Sequence, residues 1–254
     1  MMQFIAQLRE LSGGKPVGFK LCVGHAWEFM AMVKAMLHTG ITPDFIVVDG
    51  SEGGTGAAPL EFVDHMGMPL RDGLTFVHST LMGVNLRDKI KLGASGKITS
   101  AFDMARVMAL GADWCNAARG FMFAIGCIQS KLCHTGRCPT GVATQDRIRQ
   151  RALVVSDKAQ RVANFHRETV KALAELIAAA GLEHPRELRP FHFMHRAAPD
   201  RVVTFAELFH FLNPGDLIAG TDHPRYRDPW EVARADSFVP RSERMQAPVS
   251  IAAE

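Results

Sequence analysis

The chain has 254 residues, 47% of them hydrophobic and 22% charged, which suits a soluble protein with a sizeable core. Its 29 basic and 26 acidic residues leave a formal charge of +3, too balanced for a nucleic-acid binder, which clusters its basic residues on one face. The longest apolar stretch, near Phe121–Ile128, is far short of a membrane span, and no charged flank leads into a long apolar run at the start, so a cytoplasmic setting is expected.

Met2–Leu11 reads as a helix, with Phe4, Ile5, Leu8 and Leu11 at helical spacing and Gly13-Gly14 as its stop. Val17–Cys22 reads as a strand, Ala26–Leu37 as a helix closed by Gly40, and Phe45–Val48 as a short apolar run of the buried parallel kind. A glycine-rich loop, Gly50–Gly56, follows. Then come a helix over about Arg71–Arg87, a strand Ile90–Ala94, a helix Ala101–Leu110 and a strand Trp114–Ala117. Strands alternating with helices through short connections predict an α/β fold with parallel strands. Four such strands make half of a (β/α)8 barrel with open edges, so either an N-terminal half or a second copy is expected to complete it.

Past Gly120 the pattern changes. A cysteine loop, Cys127–Cys138, precedes helices near Thr144–Leu153 and Asp157–Ala180. The second helix places Val162, Phe165, Thr169, Leu173, Leu176, Ile177 and Ala180 on one face. A short helix is expected over Phe205–Leu212 after Thr204, and from Pro214 onward prolines and charges suggest an extended tail.

Three places carry chemistry. Ser95, Gly96 and Lys97 follow one strand, and Arg119 and Gly120 follow the next. Small residues with a cation at two neighbouring loops suit a phosphate, which in a barrel sits after the last two strands. The alternative is a pair of tight turns. Gly53, Gly54, Thr55 and Gly56 lie in the loop after an earlier strand and would face the functional end of a barrel. Lys20, in an apolar run, needs an anionic partner: a bound ligand, or an acid such as Asp49.

The firmest signal is Cys127, Cys133 and Cys138, spaced C-x5-C-x4-C with Gly136 and Pro139 to turn the loop. Three thiolates suit a three-iron cluster. A zinc site using His134 is the competing metal reading, though adjacent Cys133 and His134 would strain to reach one ion. Three buried free thiols are the bland one. An odd cysteine total argues against a secreted disulfide framework. Cys22 and Cys115, on strands, read as packing residues.

In order along the chain stand Gly53-Gly54-Thr55-Gly56-Ala57, Asn85-Leu86-Arg87-Asp88, Ser95-Gly96-Lys97, Cys127…Cys133-His134-Thr135 and Cys138-Pro139-Thr140-Gly141-Val142-Ala143-Thr144-Gln145. This series resembles the FMN-binding domain of glutamate synthase from about Val17 to Gln145, and the helix after it resembles that of stand-alone FMN-binding relatives. The resemblance implies a (β/α)8 TIM barrel, FMN, a 3Fe–4S cluster, and reductive amination of 2-oxoglutarate through 2-iminoglutarate with an unknown electron donor. It implies cluster ligands at Cys127, Cys133 and Cys138, and FMN phosphate contacts at Ser95, Gly96, Lys97, Arg119 and Gly120. Lys20 would be the catalytic lysine beside flavin and substrate, and Gly53–Gly56 would face the flavin. The family's Asp-Gly-Gly phosphate loop is Ala94-Ser95-Gly96 here, and no amidotransferase nucleophile domain is seen. The organisation so implied is a half barrel with the iron–sulfur loop over 1–145, a helical extension over 146–213 and an extended tail over 214–254. A truncated, inactive fragment or a metal-stabilised binding domain is the alternative.

Overall fold

The structure is a computed structural model that describes residues 1–53 and 61–241. Gly54, Thr55 and Gly56 of the glycine-rich loop lie outside the described residues. The elements run α1 (Met2–Leu11), β1 (Gly18–Cys22), α2 (Ala26–Thr39), β2 (Phe45–Asp49), α3 (Leu70–Gly83), β3 (Lys91–Ser95), α4 (Ala101–Ala109), β4 (Trp114–Asn116), α5 (Arg119–Ala124), α6 (Arg147–Gln150), α7 (Val155–Ala179), β5 (Met194–Ala198), β6 (Arg201–Thr204), α8 (Phe205–Leu208), α9 (Asp216–Ala219) and α10 (Pro224–Val232).

The first four strands are parallel and ordered β1-β2-β3-β4. Each pair of neighbours is joined by a helix, which is the strand–helix repeat of half a (β/α)8 barrel. One face of this sheet is the core. Ile46, Val48, Leu92 and Ala94 are fully buried there against Phe29, Met30 and Val33 of α2 and Leu74, Phe76 and Val77 of α3. Successive side chains alternate across a strand, so the residues between them lie on the other, inner face.

Local signals set the helix starts. Ser100 accepts from the backbone N–H of Asp103 (3.1 Å), and the Asp103 carboxylate accepts in return from the N–H groups of Ser100 and Thr99. This reciprocal cap fixes α4 directly after the β3 loop. Gly40 closes α2 in the left-handed conformation, at φ 69°. The long helix α7 lies across α4 and α5, burying Leu173 and Ile177 while Leu176 remains exposed.

Four expectations change. The helix near Thr144–Leu153 shrinks to the single turn α6, and the one over Phe205–Leu212 ends at Leu208. An antiparallel hairpin, β5–β6, appears where no strand was expected. The region past Pro214 is folded rather than extended through α9 and α10. Tyr226 is fully buried, stacks on Phe76 with ring centroids 5.7 Å apart, and donates its hydroxyl to the His210 carbonyl at 2.8 Å. Lys34 donates to the carbonyls of Trp230 and Ala233 at 2.5 and 3.0 Å and sits over the Trp230 ring. Among the described residues no helix is long and apolar enough to cross a membrane.

Candidate functional site

Strand register lays out the inner face in rows. Gly18, Phe45 and Lys91 form the first row; Lys20, Val47, Gly93 and Trp114 the second; Cys22, Asp49, Ser95 and Asn116 the third, at the carboxyl ends. The lower rows are filled by two rings. Phe45 and Trp114 meet edge to face at 5.9 Å. A Cβ at Gly93 would fall 2.5 Å from the Trp114 ring, and one at Gly18 would strike Phe45, so both glycines are places where a ring crosses the sheet. The third row is polar and lies where barrel enzymes keep their chemistry.

Lys20 reaches up to this row. Its Nζ lies 2.7 Å from Asp49 Oδ2, with the lysine side chain 54% exposed and the aspartate 21%. Lys20 thus projects from the inner face, not into the apolar core. Asp49 is its partner. Just beyond, Gly50 donates its N–H to the Ser95 carbonyl at 2.8 Å, tying the β2 loop to the β3 loop. Glu52, next to Gly53, accepts from the Leu70 N–H at 2.9 and 3.0 Å and so caps α3.

The two proposed phosphate loops do come together. A Cβ at Gly120 would lie 3.3 Å from the Thr99 carbonyl and 2.7 Å from the Phe165 ring, so Gly120 is buried where the loop after β3 meets α5 and α7. Ser95 is half-buried. Gly96, at φ 148°, has the Glu52 carboxylate and Leu70 closely against it. Lys97 sits at φ 47° and pairs with Asp64 at 2.8 Å, both side chains well exposed. Asp64 gave no signal in the sequence, because it lies 33 residues from Lys97. Arg119 opens α5.

The cysteine loop is held by its own threonines. The Cys127 N–H donates to the Met122 carbonyl at the end of α5. Cys133 and His134 lie in a tight turn ended by Gly136, at φ 72°. Thr135 donates to the Leu132 carbonyl at 2.7 Å, and Thr144 donates to the Gly136 carbonyl, closing the loop across its base. Gln150 holds the Thr144 carbonyl in turn at 2.8 Å.

Cys138 is buried, and Cys127 and Cys133 are half-buried. Burial pushes the Cys138 thiol up. The Thr140 hydroxyl, 3.4 Å from its sulfur, and the N–H groups of Ala143, Thr140 and Val142 more than offset this and bring it to about 7. Donors aimed at one sulfur stabilise a thiolate. Cys115 is pushed up to about 12 by burial, and Cys22 is also raised, by burial and by Asp49 and Glu52. Both are thus set apart from the loop. Among the described residues no three His, Cys, Asp or Glu side chains converge on one metal ion. Zinc through three cysteines and His134 would need that convergence. Ligands of a multi-iron cluster bind different irons and do not share one point.

The family described as a conserved region in glutamate synthase matches residues 1–183. The chain is 42% identical over 210 residues to the glutamate synthase large subunit-like protein YerD of Bacillus subtilis, covering 83% of this chain and 40% of that one. It is 35% identical over 190 residues to the archaeal glutamate synthase [NADPH] of Methanocaldococcus jannaschii, covering 74% and 36%. The chain therefore spans well under half the length of these relatives. Among solved structures it is similar to the recombinant flavin-binding domain of baker's yeast flavocytochrome b2, with 16% identity, a TM-score of 0.43 and coverage of 73% of this chain and 36% of that one. On the strength of the match over residues 1–183, the chain belongs to the glutamate synthase family.

Proposed function

We propose that this chain supplies the carboxyl-end half of the active face of a flavin-dependent oxidoreductase, acting in the reductive amination of 2-oxoglutarate to L-glutamate. One observation carries the reading. The polar row Cys22, Asp49, Ser95 and Asn116 stands at the carboxyl ends of four parallel strands, and the cysteine loop follows the last of them. FMN, when bound, would supply the hydride and a 3Fe–4S cluster would supply electrons.

The residues fit both groups in their chemistry. The loops at Ser95–Lys97 and Arg119–Gly120 abut through Thr99 and Gly120 and bring cationic side chains to the carboxyl ends, which suits a phosphate. Cys127, Cys133 and Cys138 are three thiols on one loop, and Cys138 already has donors that favour its thiolate. In this reading Lys20 holds a carboxylate of the substrate beside the flavin, with Asp49 orienting the ammonium. Lys97, exchanging Asp64 for a phosphate, would anchor the cofactor.

A second reading has its own support. The inner face is open on the side away from the helices, and β1 and β4 each have an unpaired edge among the described residues. On that reading the chain carries the cluster but no complete flavin site. Anaerobic purification with iron and sulfide, followed by addition of FMN, separates the two. Flavin bands over a broad iron–sulfur absorption, with reoxidation of the reduced protein that requires both 2-oxoglutarate and ammonium, support the first. The broad absorption without retained flavin favours the second. A colourless protein with stoichiometric zinc would sink both.

A further inference from the structure

The Asn85-Leu86-Arg87-Asp88 motif has no part in the site above. It lies at the opposite, amino end of the sheet, where a cavity of about 590 Å³ opens beside the starts of β3 and β4. Arg87 forms its floor. The guanidinium donates to the carbonyls of Ile90 and Gly111 at 3.0 and 2.8 Å, to Asp113 at 2.8 Å, and through Nε to His78 Nδ1 at 3.1 Å. Because Arg87 always donates, His78 Nδ1 must accept, so the neutral imidazole carries its proton on Nε2. Burial, then the Arg87 charge, holds the His78 pKa down to about 4. His78 thus enters the cavity wall as a neutral donor at any ordinary pH.

The charge of the cavity is unbalanced. Asp113 is taken up by Arg87 at 2.8 Å. That leaves Lys91, Arg186 and Arg189 facing Asp88 alone. Arg189 spends one guanidinium nitrogen on the carbonyls of Arg186 and Leu188. Lys91 and Arg186 have no ion pair among the described residues and are exposed. Two uncompensated cations over a concavity with a neutral imidazole in its wall raise the local concentration of anions.

We propose that this cavity binds a small dianion of the phosphate or dicarboxylate class, on the face opposite the proposed chemistry. Lys91 and Arg186 supply the charge, and the Arg87–His78–Asp113 network holds the wall rigid behind them. The inference does not depend on the proposed function.

Calorimetric titration of the full chain at low ionic strength tests it, with inorganic phosphate in one arm and succinate in the other. The arm that saturates identifies the source of the dianion. Lys91→Gln and Arg186→Gln should each weaken that binding about tenfold or more, and Arg186→Lys should restore part of it. The exposed Arg167→Gln should leave it unchanged. Both key side chains are exposed, so circular dichroism of the variants should match the parent. Absence of saturable binding in both arms would overturn the proposal. So would binding that survives both Lys91→Gln and Arg186→Gln, or that is lost in Lys97→Gln or Lys20→Gln, which would place it at the carboxyl ends.

Discussion

Tyr226 offers the sharpest test of how the C-terminal region is held. Its ring is fully buried, stacked on Phe76, and its hydroxyl donates to the His210 carbonyl. Tyr226→Ala removes a large ring from a packed site, a change that costs about 3–5 kcal/mol when the surroundings cannot collapse. Tyr226→Phe keeps the ring and strands the carbonyl, for about 1–2 kcal/mol. The difference between the two variants isolates the packing of the ring. Urea denaturation followed by far-ultraviolet circular dichroism measures both, with the midpoint shifting at constant slope. In a domain this size, the alanine variant should melt roughly 6–20 °C lower. If α10 were merely draped over the surface, both substitutions would shift the midpoint by less than about 0.5 kcal/mol, as surface changes do. That result would refute the reasoning and return residues 214–233 to the status of a tail.

Stability should also fall on acidification between about pH 6.5 and 4. His78 has its folded pKa lowered to about 4 from 6.5, so the unfolded chain takes up the proton first; the contribution is whole above 6.5 and lost as pH drops to 4. At most about 3 kcal/mol is at stake, and His78→Gln should flatten this part of a stability–pH curve. Asp103 is lowered in spite of burial by Ser100 and Thr99 hydrogen bonds and by Arg106, so its share is present above the unfolded carboxylate range and lost below it. Asp103→Asn should remove that acid limb and cost about 1 kcal/mol at neutral pH through the weakened α4 cap. Asp113→Asn, which leaves the half-buried Arg87 charge without its partner, should destabilise by about 2–4 kcal/mol in the same urea assay. Cys127→Ala, Cys133→Ala or Cys138→Ala should each abolish iron–sulfide absorption after anaerobic reconstitution, while Cys22→Ala and Cys115→Ala keep it.

The strand–helix repeat was legible because each element carries its own signal. Phe45-Ile46-Val47-Val48 is apolar on both faces, and Gly40 stops α2. Such signals act over three or four residues. The elements that were missed depend on distant partners. Pro224-Arg225-Tyr226-Arg227-Asp228-Pro229-Trp230 has poor helix propensity and an internal proline, yet Phe76 and Lys34 anchor it from α3 and α2. The β5–β6 hairpin has mixed burial, without a clean alternation to read. In the candidate site, the cysteine spacing was visible, but the N–H groups of Thr140, Val142 and Ala143 are aimed at Cys138 by the turn the chain makes after Pro139.

Lys20 shows how sheet geometry decides between two partners that the sequence left open. The apolar run called for an anionic partner, a ligand or an acid such as Asp49; parallel pairing puts alternate residues on opposite faces, and Lys20 shares its row with Val47, Gly93 and Trp114. The Trp114 and Phe45 rings fill the lower rows, taking the space left by Gly93 and Gly18. A flexible lysine over that apolar floor has one polar direction left, upward to Asp49. The ion pair is half in solvent, so its net stabilisation is small, about 0–1 kcal/mol. Its consequence is positional: the ammonium is delivered to the carboxyl-end row. Asp49→Asn should therefore leave the urea midpoint nearly unchanged, while Phe45→Ala should lower it. If Asp49→Asn proved as destabilising as Phe45→Ala, the pair would be part of the scaffold, and Lys20 would lose its claim to a role in substrate binding.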